Sequence, residues 1–435
     1  MHAAAPAIVY YGDDFTGATD TLGTAARAGL RTLLFLQVPT AQQLADAGPL
    51  DCLGIAGAAR AMNPEEMREA LAPVSALFQQ LGARVLHYKL CSTFDSAPAV
   101  GNIGVAVQTL RDAVPGMRTA IVGGQPDLGR YCLFGNLFAA AGSGGEVHRI
   151  DRHPTMSQHP VTPMHEADLR QHLALQGLAD LQLLPWTAHA GGGAALHETF
   201  QQLQASAADG VLFDVSSNAD LARIGDLLWR HASRAPLLVA GASSVAQALA
   251  PQITRREVTP LPVSRARGPV LVLAGSLSPV TAGQVAAAVS YEKIWLDPVQ
   301  LAGSAGYRAE AARRLNGSLA AGTNVLACTV RPGDRSASGD TVGSRALAEA
   351  GGDLLSRVLT ATPLSRVGVA GGDTSSHAVQ ALDAWGLSYL AALSPGVALC
   401  RLHSTAPGLD GLEIALKGGQ MGGVDFFERL LYGTA

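Results

Sequence analysis

The chain of 435 residues is poor in several features that mark other classes of protein. Charged residues make up only 15% of it and the formal net charge is −4, so we expect no basic surface for nucleic acid. The five cysteines are scattered and include no Cys-x-x-Cys pair, which favours reduced core thiols over disulfides or a zinc site. No apolar run approaches the ~18–20 residues that span a membrane, and the N terminus lacks a signal-peptide pattern. We therefore expect a cytoplasmic protein with no membrane partner.

Several enzyme motifs are also missing. The sequence has no Gly-x-x-x-x-Gly-Lys-Ser/Thr, and no Gly-x-Gly-x-x-Gly follows a predicted strand. These absences exclude a P-loop NTPase and a dinucleotide fingerprint. The twelve histidines show no His-Glu-x-x-His spacing, and no Gly-x-Ser-x-Gly elbow of a hydrolase is present. The metal ligands are therefore unknown from sequence motifs.

What the chain does have is apolar character and a regular alternation of elements. Hydrophobic residues make up 48%, and short apolar runs alternate with helical patterns such as 64–81 and 218–232. Such alternation predicts an α/β fold with parallel sheets covered by helices on both faces. Four prolines and four arginines between 251 and 269 predict an extended linker at 256–268. We predict an N-terminal domain (1–255) and a C-terminal domain (269–435), each with a mostly parallel sheet, and an active site in the cleft between them.

The first predicted strand, at residues 8–11, leads into two adjacent acids. Asp13 and Asp14 follow it, and then a turn of small residues opens a helix. Ligands of open α/β sheets bind beyond the carboxyl ends of the strands. Paired carboxylates there can bind sugar hydroxyls, accept a proton or hold a metal, whereas capping the helix needs only one of them. We therefore favour a functional role, with helix capping as the alternative.

Two further polar segments follow predicted strands of the same half. Residues 87–96 (His-Tyr-Lys-Leu-Cys-Ser-Thr-Phe-Asp-Ser) contain Lys89, and residues 123–130 (Gly-Gly-Gln-Pro-Asp-Leu-Gly-Arg) contain Arg130. A lysine and an arginine can pair with the carboxylate of an acid, and the neighbouring hydroxyls and carboxylate can meet its hydroxyl groups. Only three residues of the chain are lysines. Lys89 lies in the first of these segments, and Lys417 lies in a glycine-rich segment of the C-terminal half. An ordinary polar turn is an equal alternative for each segment alone.

The C-terminal half contains three glycine-rich turns. They are 274–279 (Ala-Gly-Ser-Leu-Ser-Pro), 370–376 (Ala-Gly-Gly-Asp-Thr-Ser-Ser) and 416–423 (Leu-Lys-Gly-Gly-Gln-Met-Gly-Gly). The first two each follow a predicted strand and open a helix. Small residues let backbone N–H groups approach phosphate oxygens, and a helix N terminus favours their charge. Together the three turns predict a phosphate-binding site.

These segments, in this order, resemble the four-carbon acid sugar kinases over nearly the whole chain. The residues that carry the resemblance are 13–20, 89–96, 371–375 and 395–396, and segments 91–96 and 159–164 look most like the 3-oxo-tetronate kinase branch. The resemblance implies an N-terminal acid-sugar domain and a C-terminal nucleotide domain. It also implies transfer of the γ-phosphoryl group of ATP, with Mg²⁺, to the C4 hydroxyl of 3-oxo-tetronate, threonate or erythronate. A homodimer is a reasonable default for an enzyme of this size.

The resemblance also implies which residues form the two sites. The sugar acid would meet Asp13, Asp14, Arg60, Lys89, Ser92, Asp95 and Arg130. The ATP would meet Ser276, Gly371, Gly372, Asp373, Thr374, Gly396 and Gly419. Asp14 is expected to orient or deprotonate the acceptor hydroxyl, with Asp13 as the alternative, and Asp373 is a candidate ligand of Mg²⁺. Lys417 would either neutralise phosphate charge or cap its own strand.

The chain departs from the family pattern around the sugar site. Ala58 and Ala59 precede Arg60 where relatives have Arg and Ser, Leu128 replaces a polar asparagine, and Gly418 replaces a serine. These changes leave two alternatives open. One is a protein that binds ATP and an acid sugar without catalysis. The other is an isomerase or aldolase using the Asp pair and Lys89, which would have no use for the C-terminal glycine turns.

Overall fold

The computed structural model describes residues 5–142, 144–159, 161–205, 208–275, 278–329 and 343–434, with residues 190, 191, 204, 205, 344 and 373 by their backbone alone. The chain divides into two compact units, Met1–Leu33 with Gln37–Val258 and Leu34–Leu36 with Thr259–Ala435. Both contain a largely parallel sheet and helices, so the predicted two-domain α/β class is confirmed. No helix within the described ranges is long and apolar enough to cross a membrane.

Most elements up to residue 258 alternate between strands and helices as the sequence predicts, but three strands within residues 130–149 follow one another without an α-helix between them. The strands are β1 Ile8–Gly12, β2 Thr32–Phe35, β3 Cys52–Ala56, β4 Val85–Lys89, β5 Arg118–Val122, β6 Arg130–Leu133, β7 Asn136–Ala140, β8 Val147–Arg149, β9 Leu181–Leu184, β10 Gly210–Phe213 and β11 Leu237–Gly241. The helices are α1 Phe15–Arg27, α2 Ala41–Ala47, α3 Pro64–Leu81, α4 Ile103–Asp112, α5 Leu169–Ala174, α6 Gly192–Ala205, α7 Asn218–Ala232 and α8 Ser244–Ile253.

Parallel pairing brings the carboxyl ends of the strands to one edge of this sheet. From β3 the order is β3-β1-β4-β11-β5-β10-β9, and each neighbouring pair in it is parallel. Strands β1, β3, β4 and β11 are buried along their whole length, as expected for apolar strands covered on both faces. Strands β6, β7 and β8 form a separate antiparallel sheet. The polar segments that follow β1, β3, β4, β11 and β5 are therefore neighbours.

Local signals explain why the long helices begin where they do. Asn63 caps α3 and forms a capping box with Glu66, Pro64 occupies the first helical position, and Gly82 ends the helix with φ +63°. Ser217 forms the corresponding capping box at the start of α7. The predicted helices at 64–81 and 218–232 are accordingly confirmed.

The elements after residue 258 belong to the second unit. The strands are β12 Leu271–Ala274, β13 Glu292–Trp295, β14 Val325–Cys328, β15 Arg366–Ala370, β16 Gly386–Ser394, β17 Val397–His403 and β18 Glu413–Lys417. The helices are α9 Pro279–Ala287, α10 Pro298–Gly303, α11 Ala305–Ala320, α12 Ser344–Ala361, α13 Gly372–Gln380 and α14 Phe426–Tyr432. The strand order is β13-β14-β12-β15-β18-β17-β16, parallel up to β18 and antiparallel on both sides of β17.

Candidate active site

Two adjacent carboxylates share one arginine at the carboxyl end of β1. Arg60, in the turn after β3, donates from Nη2 and Nε to the two oxygens of Asp13 at 2.7 and 3.1 Å. Its Nη1 donates to Asp14 Oδ2 at 3.0 Å. Asp13 and Asp14 are only 5% and 7% exposed, so this shared cation compensates much of the cost of burying them. The structure thus unites three predicted site residues in one ion-paired cluster.

The two carboxylates differ in their chemistry. Asp14 caps α1: its Oδ1 accepts from the backbone N–H of Gly17 at 2.9 Å and its Oδ2 from the hydroxyl of Thr16 at 2.6 Å. Burial alone would raise the pKa of Asp14, but Arg60 and these hydrogen bonds bring that pKa below its usual value. Burial raises the pKa of Asp13, although Arg60 opposes the shift. Asp14 is therefore committed as an anion, and Asp13 is the more basic of the two.

Lys89 supplies a buried cation beside this pair. It ends β4, where its Cα is paired in register with that of Gly12, and it is 4% exposed. Gly17 makes room for it, because a Cβ atom there would lie 1.8 Å from Lys89 Nζ. Within the described part of the chain, Lys89 Nζ makes no hydrogen bond and no ion pair. A buried ammonium with unused donors is suited to bind the carboxylate of a ligand.

The loop after β4 places Ser92 and Asp95 in the same region. Both are nearly buried, at 8% and 7% exposure. The hydroxyl of Thr93 donates to Asp95 Oδ1 and lies 2.8 Å from Cys91 Sγ. Burial raises the pKa of Cys91 to about 11, so its thiol is neutral near pH 7. The loop therefore offers hydroxyl and carboxylate groups rather than a nucleophilic thiolate.

Arg130 is the third predicted cation of the first unit. Its Nη1 donates to the carbonyl of Leu128, while its buried Nε has no hydrogen-bond partner among the described residues. Burial lowers the pKa of Arg130. The orphaned Nε is a donor that a bound anion can use.

Three polar residues of this edge were not predicted as site residues. Ser243, which follows β11, donates to Asp20 Oδ2 and accepts from Gln125 Nε2 at 2.8 Å. Asp20 belongs to the first motif and Gln125 to the turn after β5. Because β11 lies between β4 and β5, Ser243 stands in the middle of the edge. The sequence position of β11, far from β4 and β5, gives no signal of this placement.

The second unit gathers the glycine turns in a similar way. Strands β12, β15 and β18 are parallel neighbours, so their carboxyl ends adjoin. Gly275 approaches α13 so closely that a Cβ atom there would lie 2.4 Å from Thr374 Oγ1. Gly371, with φ +128°, precedes α13, and no side chain of the described residues caps that helix. The free N–H groups of the first turn of α13 are therefore available to an anion.

Lys417 holds the glycine loop after β18. It is fully buried, and its Nζ donates to Thr281 Oγ1 at 3.0 Å and to the carbonyls of Gly418 and Gly419 at 2.9 and 3.3 Å. Gln284 Nε2 donates to the carbonyls of residues 421–423 at 2.9–3.0 Å. Burial lowers the pKa of Lys417 to about 7. Of the two roles open from the sequence, the observed contacts are those of a residue that holds the end of its strand and the following loop.

The remaining predicted nucleotide residues are placed only in part. Strands β16 and β18 are both antiparallel to β17, so the turn with Gly396 (φ +74°) lies at the same edge as Gly371 and Gly419. Gly372 begins α13. Ser276 and the side chain of Asp373 lie outside the described residues. No cluster of three or more His, Cys, Asp or Glu within the described ranges could hold a metal ion.

Comparison with known proteins assigns a domain family to each half of the chain. Residues 8–249 match the sugar-binding N-terminal domain, and residues 271–427 match the nucleotide-binding C-terminal domain. A sugar-binding domain and a nucleotide-binding domain are the two parts that a sugar kinase needs, and the relatives that match over nearly the whole chain are kinases. The chain belongs to the four-carbon acid sugar kinase family and is a phosphotransferase, so the resemblance seen in the sequence is confirmed.

Named relatives and solved structures agree with this assignment. The 3-oxo-isoapionate kinase of Paraburkholderia graminis is 38% identical over 97% of this chain and 93% of that protein. The 3-oxo-tetronate kinase of Cupriavidus necator is 33% identical over 96% of this chain and 95% of that protein. A protein of Salmonella typhimurium LT2 and protein HI1011 of Haemophilus influenzae superpose with TM-scores of 0.79 and 0.71. Each is 26% identical and covers 97% of this chain and 98% of its own.

Proposed function

We propose that this protein uses ATP to phosphorylate the C4 hydroxyl of a four-carbon sugar acid of the 3-oxo-tetronate, threonate or erythronate type. The observation that carries the proposal is Lys89, a buried cation that makes no hydrogen bond or ion pair among the described residues and lies near paired carboxylates at the carboxyl end of the strands. An anionic substrate with hydroxyl groups matches both parts of that arrangement. The names of the relatives, which are kinases of 3-oxo sugar acids, support the reaction and the substrate class.

Each group of the sugar site has a role in this proposal. Lys89 binds the C1 carboxylate and the Nε of Arg130 supports it, because both are buried donors without a hydrogen-bond partner among the described residues. Asp13 orients or deprotonates the C4 hydroxyl, since the oxygens of Asp14 already accept three hydrogen bonds. Arg60 holds the pair in place. The remaining members also bind the hydroxyl groups of the acid. Ser92 can donate or accept a hydrogen bond there, and Asp95 accepts one.

The nucleotide site fits a triphosphate. The close approach of Gly275 to Thr374 leaves no room for a side chain, and the uncapped start of α13 offers N–H donors, as phosphate oxygens require. Gly371, Gly372, Thr374, Gly396 and Gly419 would line the site, together with Ser276 and Asp373. Mg²⁺ bound to ATP would neutralise phosphate charge, and such ions need only one or two protein carboxylates. Asp373 stays the candidate for that contact.

The proposal extends to organisation and location. We assign residues 1–255 to acid-sugar binding, 256–268 to a linker and 269–435 to nucleotide binding. An enzyme that consumes ATP is expected in the cytoplasm, and a homodimer is the commonest assembly of soluble enzymes. Phosphoryl transfer depends mainly on positioning and charge neutralisation, so these groups need only orient the acceptor hydroxyl towards the γ-phosphate.

The test is ADP release with Mg·ATP against a panel of sugar acids: 3-oxo-tetronate, threonate, erythronate and 3-oxo-isoapionate. We expect one acid to be turned over, with the phosphate on C4 by phosphorus–carbon coupling in NMR. Lys89→Met should raise the KM for the acid about 10- to 100-fold, because a charge-assisted hydrogen bond is lost, and leave the KM for ATP unchanged. Lys293→Met, at a lysine that binds only the carbonyl of Ala286, is the matched control.

Other outcomes would support the alternatives. Conversion of an acid without ADP release would indicate an isomerase or aldolase. Binding of ATP and an acid by calorimetry without turnover of any acid on the panel would indicate a binding protein.

A further inference from the structure

Ser243 has an unusual use of its hydroxyl. It occupies the residue before α8, where a serine side chain usually accepts a hydrogen bond from the first turn of the helix. Within the described part of the chain it makes no such bond. Its hydroxyl donates to Asp20 Oδ2 and accepts from Gln125 Nε2 at 2.8 Å. Ser243 is 0% exposed and Gln125 is 6% exposed, so this chain of contacts is built into the interior and fixes Asp20 at the expense of a helix cap.

Asp20 lies one turn of α1 beyond the glycine that packs against the cation proposed to bind the substrate carboxylate. It follows Gly17 by three residues on α1 and so lies on the same face of that helix. Gly17 is the residue whose missing side chain makes room for Lys89 Nζ. Asp20 is half-buried, and its Oδ1 makes no hydrogen bond with the described residues. One oxygen is therefore held in place and the other is free to accept.

The other carboxylates of this edge are almost completely buried and each accepts hydrogen bonds from the protein. Arg60 donates to both oxygens of Asp13, and Asp14 is bound to Arg60 and to the start of α1. Asp95 accepts from the hydroxyl of Thr93. Asp20 thus differs from them in combining a fixed orientation with partial exposure and an unused oxygen.

We propose that Asp20, oriented by Ser243 and Gln125, binds the C2 hydroxyl of the sugar acid and selects substrates that carry it. The proposal rests on the proposed function. Lys89 would hold the C1 carboxylate, and a residue three places along a helix is about 4.5 Å further along its axis, which brings the neighbouring carbon within reach. An ionised carboxylate accepts hydrogen bonds and cannot donate them, so it favours a hydroxyl over a hydrogen atom or a keto oxygen at that carbon. Asp20 is a substrate-binding residue in this proposal, and Ser243 and Gln125 are positioning residues.

The experiment compares an acid substrate with its 2-deoxy analogue. For wild type we expect kcat/KM to be about 100-fold higher for the acid with the C2 hydroxyl, because the analogue leaves a half-buried charged acceptor unpaired. Asp20→Ala should reduce that ratio to below about 10-fold by lowering kcat/KM for the hydroxylated acid, with a small effect on the analogue. Asp20→Asn, which keeps an acceptor oxygen, and Ser243→Ala should give intermediate ratios, and the KM for ATP should not change. Asp226→Asn, at an exposed carboxylate of α7 paired with Arg230, is the matched control.

The preference for the C2 hydroxyl can also be measured without turnover, as a ratio of dissociation constants. Calorimetric Kd values for the two acids decide the proposal even if the protein binds acids and does not phosphorylate them. An unchanged ratio in Asp20→Ala, whether both acids weaken equally or neither does, would overturn the assignment and leave the kinase proposal intact. Failure of wild type to bind any acid would overturn both.

Discussion

At the scale of single residues, Asp13 and Asp14 show how two identical neighbours acquire different chemistry. Asp14 accepts the N–H of Gly17 at the start of α1, whereas Asp13 is enclosed without that bond. Their pKa values consequently shift in opposite directions. Helix capping and a functional role, which the sequence presents as alternatives, therefore fall on the same pair of residues.

Two substitutions at Asp14 should separate its cap from its charge. Asparagine retains a side-chain oxygen for the N–H of Gly17, while alanine does not, and both lose the charge opposite Arg60. We expect Asp14→Ala to lower the free energy of unfolding by about 1 kcal/mol more than Asp14→Asn, as measured by urea denaturation at pH 7. Equal free energies for the two variants would contradict the capping role.

Lys417 predicts a pH dependence of stability. Its pKa falls to about 7 in the fold, against an ordinary value of 10.5, because burial disfavours the charged form. Between these values the unfolded chain binds more protons than the folded one, so stability conferred by Lys417 rises with pH across this window. Relative to Lys417→Met, wild type should gain about 2 kcal/mol of unfolding free energy from pH 7 to pH 9.

The matched control for Lys417 is the same substitution at Lys293. Its ammonium donates to the carbonyl of Ala286, and its side chain is only partly buried. Denaturation curves at pH 7, 8 and 9 for both pairs of proteins isolate the buried site. A free-energy difference between wild type and Lys417→Met that is flat over this range would show that the lysine keeps its ordinary affinity for protons.

At the scale of elements, the strands that the sequence predicts are those with continuous apolar runs. Every residue of strands β1, β3 and β4 is buried, and this burial is visible in the sequence as a run of mostly apolar residues. Strands β6 to β8, at 130–133, 136–140 and 147–149, were not predicted, because they are short and partly polar and belong to a small antiparallel sheet. Strand β17 was not predicted either. It lies between β16 and β18 and is antiparallel to both, an arrangement that depends on pairing between separate strands.

The site was predictable where one motif carries several of its groups. Residues 13–14 and 89–95 each follow a buried strand, so their position at the edge follows from the strand alone. Ser243 could not be found in this way, since a serine before a helix is the ordinary signal of a cap. Its role depends on the placement of β11 between β4 and β5, which only the fold supplies. The orphaned donor of Arg130 is likewise visible only in three dimensions.

The turn between β12 and α9 gives a prediction about the nucleotide site. Alanine at Gly275 would bring a Cβ atom within 2.4 Å of Thr374 Oγ1, so the turn and α13 must move apart. We expect Gly275→Ala to raise the KM for ATP about tenfold or more while the KM for the sugar acid stays the same. Gly283→Ala is the matched control, because a Cβ atom there meets nothing within 4 Å and α9 gains a better helix former. An unchanged KM for ATP in Gly275→Ala would remove this turn from the nucleotide site.

At the scale of the whole molecule, the two compact units each repeat one physical device. Parallel strands bring their carboxyl ends to one edge, and the polar or glycine-rich segments after them converge without being neighbours in sequence. The residues proposed for the sugar acid all lie in the first unit and those for ATP in the second. Substitutions such as Lys89→Met and Gly275→Ala should therefore affect different ligands.

The irregular segment that contains the boundary of the two units gives the last prediction. Residues 254–270 contain no helix or strand, and the side chains from 255 to 262 are exposed. Proteases cleave exposed, irregular backbone first. Under brief trypsin treatment we expect the earliest cut at Arg255 or Arg256, which mass spectrometry of the intact fragments would identify. The double variant Arg255→Gln/Arg256→Gln should lose that first cut. An earliest cut within the described residues but outside 254–270 would contradict the expectation that this segment is the most accessible backbone of the described part of the chain.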